Sequence, residues 1–215
     1  MNREIHTARL VSITPDAEKQ IVYMARVSNP SNQNNLETAP RLIKYLIKHK
    51  HWSPFEMASM QVEIETTRAI AAQVLRHRSF SFQEFSQRYS SVDQLGTVGL
   101  PHLRSQDLKN KQASHDDLDP TMVELMEKQI QQLYHSTFDY YEYLLSKGVA
   151  KECARSILPL GTPTRLYMSG SIRSWIHFLQ IRCGIETQLE HRLIANAVKD
   201  IFEEQLPSVY EAAFT

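Results

Sequence analysis

Glycine is scarce in this chain, six among 215 residues, and none of them forms a Gly-x-Gly-x-x-Gly pattern. A Rossmann turn needs such glycines for its tight bend and for backbone approach to pyrophosphate, so a dinucleotide-binding domain of that kind is not expected. Cysteine is scarcer still. Cys153 and Cys183 have neither metal-ligand spacing nor the number of a disulfide framework, so no metal is expected and both read as reduced thiols of a cytoplasmic protein. No apolar run approaches the ~20 residues that span a bilayer, and Met1-Asn2-Arg3-Glu4 lacks the apolar core of a signal peptide. A soluble, untargeted protein without membrane contact is expected. Net charge is absent too: 24 basic residues balance 24 acidic ones. Nucleic-acid-binding domains are usually strongly basic, so no nucleic-acid partner is expected and local basic clusters need local purposes.

The densest such cluster is Arg76-His77-Arg78, followed by seven residues that include Phe80, Phe82 and Phe85, then Ser86-Gln87-Arg88-Tyr89. Arg76 and Arg78 are two apart and can serve two partners, whether they share a side in an extended chain or diverge in a helix. Glu84, Ser86 and Arg88 alternate, so an extended backbone would aim a carboxylate, a hydroxyl and a guanidinium at one ligand. A nucleotide suits that set, because Arg forks onto phosphate and Glu accepts from ribose or base.

Apolar periodicity places the rest. An opening strand is expected over 3–13, then a helix capped by Thr14-Pro15-Asp16 and running to Arg26, a polar loop over 29–35, and a helix with Leu42, Ile43, Leu46 and Ile47 as its stripe. Ser53, Pro54 and Glu56 read as a capping box, and a helix amino terminus is also an anion site. A half-buried strand follows over 59–66. The helix from Arg68 to Leu75 delivers Arg76 to Arg78 at its carboxyl end, with Gln73 and Arg76 on one face. Residues 105–119 read as a surface excursion. The longest helix starts at Asp119-Pro120, buries Val123, Met126, Ile130, Leu133, Tyr141, Leu144 and Leu145, and stops at Gly148. Arg155 precedes the apolar Ile157-Leu158-Pro159-Leu160. A strand over Thr164, Leu166 and Met168 turns at Gly170-Ser171 into a helix with Arg173 and His177 on one face and Arg182 at its end. A last amphipathic helix ends before Pro207. The class is α+β, a mixed or antiparallel sheet flanked by helices, in one domain over 1–215.

The Arg76 to Tyr89 segment resembles the signature of the flavin-dependent thymidylate synthases, and the resemblance extends through His51-Trp52-Ser53-Pro54-Phe55-Glu56, Ala154-Arg155-Ser156-Ile157-Leu158-Pro159 and Ser171-Ile172-Arg173 to Arg182. It implies methylation of dUMP to dTMP, with 5,10-methylenetetrahydrofolate as carbon donor and NADPH-reduced FAD as hydride carrier. It also implies a homotetramer with active sites where subunits meet. By resemblance, dUMP falls to Gln73, Val74, Leu75 and Arg76, to Glu84, Phe85, Ser86, Gln87 and Arg88, and to Arg155, which matches the family's phosphate ligand. FAD falls to His51 and Ser53, to Arg76, His77, Arg78 and Glu84, and to Ser171, Ile172, Arg173 and His177. The family commonly has Asn where this chain has Ser171 and His177, and a His adds pH dependence. Arg182 is assigned to catalysis: a guanidinium cannot act as a base near neutrality but can stabilise negative charge developing on the pyrimidine.

Ser86 reads as a substrate hydrogen-bond partner, since a nucleophilic serine needs an oriented base and His77 is a candidate only by sequence proximity. Two other classes fit parts of the chain. Phe80, Phe82, Phe85 and Tyr89 among basic residues could be a stacking surface for single-stranded RNA, and a nucleotide-binding protein of this fold without catalysis would also carry the motif.

Overall fold

The computed structural model describes residues 2–215. Two compact units are built from interleaved segments. One holds the residues up to His6, Glu65–Val74 and Glu84–Leu166; the other holds Thr7–Ile64, Leu75–Gln83 and Tyr167–Thr215. They are called here the first and second unit.

The elements in chain order are β1 (Thr7–Ile13), α1 (Ala17–Ala25), α2 (Ala39–Lys48), β2 (Ser59–Thr67), α3 (Arg68–Val74), β3 (Ser81–Glu84), β4 (Ser105–Gln106), β5 (Ser114–His115), α4 (Pro120–Ser146), α5 (Lys151–Ala154), β6 (Pro163–Ser171), α6 (Ile172–Arg182), α7 (Leu189–Gln205) and α8 (Pro207–Phe214). β4 and β5 form a small hairpin, and the main sheet has the order β1-β2-β6-β3. The unit boundary falls within β2, β3 and β6. Side-chain pairs across the strands show the direction. Glu65 meets Arg165, Glu63 meets Tyr167 and Gln61 meets Ser169, numbers rising on one strand as they fall on the other, so β2 and β6 are antiparallel. Thr14 on Ser59 and Ser12 on Gln61 make β1 and β2 antiparallel as well. The α+β expectation holds.

In the second unit, Met60, Val62 and Ile64 of β2 are fully buried, as are Trp175 and Phe178 of α6 and Ile194, Val198 and Phe202 of α7. Trp175 donates its indole N–H to the Met60 carbonyl at 3.0 Å, which ties α6 to β2 at a fixed height. In the first unit, Val92, Tyr141 and Ala154 form a core with Phe138, Leu144, Leu145, Val149 and Leu158 packed on it.

Several boundaries differ from expectation, each for a local reason. Asp16, in the left-handed region at φ 50°, caps α1 without a side-chain bond. Thr14 cannot cap it, because its hydroxyl accepts from the Ser59 amide at 2.9 Å. Ser53–Glu56 is a single 3-10 turn with no side-chain cap, so the capping box does not form. α3 ends at Val74, which places Arg76 beyond the helix and off any helical face shared with Gln73. α4 is capped as expected by Asp119, which accepts from the Met122 amide at 2.9 Å, but Tyr141 is its buried residue and Leu133 is 64% exposed. α8 follows where the sequence pattern marks only the end of α7: the chain stops α7 before Pro207, which also opens α8 at its first position.

At Gly170 a Cβ would lie 2.4 Å from the Phe80 ring, and Phe80 packs edge-on against Trp175 with ring centroids 4.7 Å apart. Gly170→Ala is expected to destabilise the protein by about 1–3 kcal/mol by forcing that ring out of place. The urea unfolding midpoint measures it, and an unchanged midpoint would show that Phe80 can yield freely.

Candidate functional site

The turn after α3 presents Arg76 and Arg78 to solvent and turns His77 inward. The imidazole packs edge-on against Phe178, ring centroids 4.9 Å apart, and Phe80 sits 6.4 Å away. Phe80 belongs to an aromatic wall with Trp175 and Phe178. Trp175 and Phe178 are fully buried and Phe80 is half-buried against them, so the Phe80 ring is engaged in packing; Tyr89, 84% exposed, is the segment's outlying ring.

Arg182, the last residue of α6, donates its Nε–H to His77 Nε2 at 2.9 Å. A guanidinium has no acceptor, so His77 must be the acceptor, neutral and protonated on Nδ1. Burial, then the charges of Arg182 and His177, push the His77 pKa down to about 4. His191 of α7 is fully buried at 6.1 Å from His77, and neither of its ring nitrogens has a hydrogen-bond partner. Its pKa is also pushed down to about 4, by burial and then by Arg182 and His77.

At the other end of α6, Ser171 caps the helix by accepting from the Ser174 amide at 3.3 Å and donates its hydroxyl to Glu56 at 2.5 Å. Glu56 also binds Arg173 at 2.6 Å. The Ser171 hydrogen bond, then Arg173, hold the Glu56 carboxyl below its ordinary range. Glu56 thus has a partner role that the capping-box reading of its position did not suggest. Beside it opens a cavity of about 320 Å³ whose walls include Trp52, Ser79, Arg173, Ser174, His177 and Gln180. A guanidinium, an imidazole, an amide, hydroxyls and an indole fit an anionic group with an aromatic ring. Ile172 is not available to it: its side chain is fully buried and its amide bonds the Ala58 carbonyl at 2.9 Å. His51 and Ser53 are exposed, with His51 against the Tyr45 ring at 5.9 Å.

In the first unit the alternation of Glu84, Ser86 and Arg88 does not survive. β3 ends at Glu84, and the Tyr89 amide turns back to the Ser86 carbonyl at 3.0 Å, so the three are not on one extended strand. Glu84 is held by Arg68 at 2.5 Å and Thr164 at 3.0 Å, and Arg88 by Glu152 at 3.0 Å. Phe85 joins the sheet through its amide to the Arg165 carbonyl at 2.9 Å. Ser86 is exposed, Val74 fully buried, Leu75 partly exposed, and Gln73 and Arg155 half-buried. Gln87 is buried with its side-chain amide nitrogen unpartnered, a donor without an acceptor. The larger cavity of this unit, about 530 Å³, is walled by Val92, Phe138, Tyr141 and Leu145 among others and contains none of the residues the resemblance selects. Two of the residues the resemblance selects, Arg173 and His177, line instead the cavity beside α6.

The fold is shared with a solved pyrimidine-nucleotide methylase. The solved UMP/dUMP methylase PolB from Streptomyces cacaoi, bound with 5-Br dUMP, superposes with a TM-score of 0.84 at 26% identity, covering 99% of this chain and 96% of that one. The family model described as thymidylate synthase complementing protein matches residues 9–208. Relatives include a probable flavin-dependent thymidylate synthase of Paramecium bursaria Chlorella virus 1, 50% identical over 96% of this chain and 98% of its own length. A flavin-dependent thymidylate synthase of Synechocystis is 50% identical over 91% of this chain and 88% of its own. The chain belongs to the flavin-dependent thymidylate synthase family.

The buried histidines set a pH dependence. With folded pKa values near 4 against an ordinary 6.5, the unfolded chain takes up protons first, so stability is full above about 6.5 and is lost as pH falls toward 4. For His191 the loss at pH 5 is about 2 kcal/mol. Comparing urea midpoints at neutral pH and at pH 5, the His191→Leu variant should lose less stability than the wild type; an equal loss would place the acid sensitivity elsewhere.

Proposed function

We propose that this chain carries out the reaction its family is named for, reductive methylation of dUMP to dTMP, as a single catalytic domain over 1–215. The observation that carries the reading is 50% identity over nearly the whole length of flavin-dependent relatives. Carbon comes from 5,10-methylenetetrahydrofolate and reducing equivalents from NADPH. FAD, when bound, supplies the hydride.

The cavity beside α6 takes part of the flavin nucleotide, with Arg173 and His177 on its wall and Ser171 and Glu56 setting the position of Arg173. Exposed Arg76 and Arg78 add cationic donors for phosphate without a glycine loop. The dUMP phosphate falls to Arg155, and Gln87 offers its unpartnered amide as a donor. Ser86 and Arg88 contribute hydrogen bonds, Arg88 exchanging Glu152 for substrate. Glu84 acts through Arg68, whose guanidinium it orients. Arg182 is the residue assigned to substrate activation, its guanidinium stabilising the negative charge that develops as C5 of the pyrimidine becomes nucleophilic. Its proton stays on it throughout, so proton removal belongs to another acceptor.

A cytoplasmic homotetramer completes the reading. α4 exposes Met122, Leu125, Leu133, Tyr140 and Tyr143, an apolar surface of the kind subunit contacts cover. Among the described residues no helix is long and apolar enough to cross a membrane.

The test is the visible spectrum during anaerobic addition of NADPH, then dUMP with methylenetetrahydrofolate. Flavin absorbance should bleach and then return with dTMP formed; a colourless protein that takes up no flavin would overturn the reading. Arg182→Ala should lower turnover at least about 100-fold while flavin absorbance stays at the wild-type level. Arg155→Ala should raise the KM for dUMP by about tenfold or more, as loss of a charged phosphate contact requires. An unchanged KM would move the phosphate elsewhere.

A further inference from the structure

We propose that His77 is a positioning residue for Arg182, a neutral acceptor that orients the guanidinium without neutralising it; the inference rests on the assignment of Arg182 to substrate activation. By resemblance His77 is grouped with the flavin ligands, yet its Nε2 is committed to Arg182 Nε at 2.9 Å and its ring to Phe178 at 4.9 Å.

The kind of partner matters. Arg68, Arg165 and Arg173 each lie on a carboxylate, at 2.5, 2.5 and 2.6 Å. Such a pair is held in place, but its field toward a third group is largely cancelled. A neutral imidazole accepts one hydrogen bond and fixes the torsion of the guanidinium while leaving the full positive charge for the substrate. That is the arrangement electrostatic preorganisation requires, a fixed donor whose charge is not spent before the reaction.

The surroundings keep His77 in the accepting form. Arg182 and His177 on α6 and His191 on α7 are the titratable groups that face it. Arg182 is cationic, His177 acts electrostatically in the same direction, and His191 is fully buried, so a positive charge on His77 is disfavoured from both helices. Phe80 and Phe178 close the apolar sides.

The test uses full-length His77→Gln, His77→Leu and His77→Glu, each checked for folding by its thermal midpoint. Binding of radiolabelled dUMP, flavin occupancy and turnover are then measured. Gln supplies a neutral acceptor and should keep turnover within about threefold of wild type, Leu removes the acceptor, and Glu restores it but cancels the charge; the last two should each lose about tenfold or more with flavin occupancy unchanged. In an Arg182→Ala background, His77→Leu should weaken dUMP binding no further, because the two residues act as one unit. Additive losses, or loss of flavin with His77→Leu, would overturn the proposal in favour of a direct flavin contact.

A readout independent of substrate separates this from failure of the functional reading. Nitrogen NMR of the histidines should show His77 protonated on Nδ1 with an accepting Nε2 that shifts in Arg182→Ala. An Nε2-protonated His77 would overturn the proposal even if the enzyme were active. The accepting tautomer in a protein that does not bind dUMP would uphold the contact and sink the functional reading instead.

Discussion

The packing of Phe80 against Trp175, over the backbone of Gly170, is the constraint on which the second unit's chemistry depends. Gly170 has no side chain, so the Phe80 ring can lie directly on β6. From there it meets Trp175, whose indole is pinned to β2 through the Met60 carbonyl. The turn carrying Arg76, His77 and Arg78 is two residues upstream, and its path is set by where that ring must go. α6 is fixed by the same contacts, which brings Arg182 at its end to His77 and Arg173 near its start to Glu56. One cluster of aromatic packing therefore places cations at both ends of a helix, and rigid placement is what an electrostatic site needs.

Zero net charge takes on meaning once the pairs are seen. Arg9 on Glu63, Arg68 on Glu84, Arg165 on Glu65 and Arg173 on Glu56 are matched locally. Exposed pairs contribute little to stability, and their more useful effect is to hold a guanidinium in one orientation. The Glu56 carboxylate occupies the Arg173 guanidinium, so any anion that binds there must exchange with it. The His77 contact involves no such exchange.

Much of this was legible in the sequence, and the failures have physical causes. Strand alternation located β2 and β6, and apolar stripes located α2, α6 and α7, because each element buries one face at its own period. The Arg76 to Tyr89 segment stood out by its density of cations and hydroxyls, and its resemblance to a known signature led to the family to which the chain belongs. The alternation of Glu84, Ser86 and Arg88 misled, because the strand ends at the first of them and the chain turns back at Ser86. The capping box at Ser53 misled because Glu56 finds Ser171 and Arg173, more than a hundred residues away in sequence, a partnership no local pattern can display. His191 did carry a signal that was missed. It stands three, seven and eleven residues before Ile194, Val198 and Phe202, on the buried stripe of α7, where a polar ring must be desolvated.

The two positions where the resemblance leads one to expect asparagine, Ser171 and His177, are explained differently by their surroundings. Ser171 must do two things at once, cap α6 and bond Glu56, and a hydroxyl does both because it accepts from the Ser174 amide while donating its proton to the carboxylate. The shorter side chain loses reach but gains a partner whose negative charge also fixes Arg173, so the cation wall of the cavity does not depend on an asparagine amide. His177 stands one helical turn beyond Arg173 on the same cavity wall and also bears electrostatically on His77. An imidazole there acts electrostatically on His77 in the direction that favours its neutral form. The substitution thus acts in the same direction as the burial around His77, keeping it an acceptor and leaving Arg182 its whole charge.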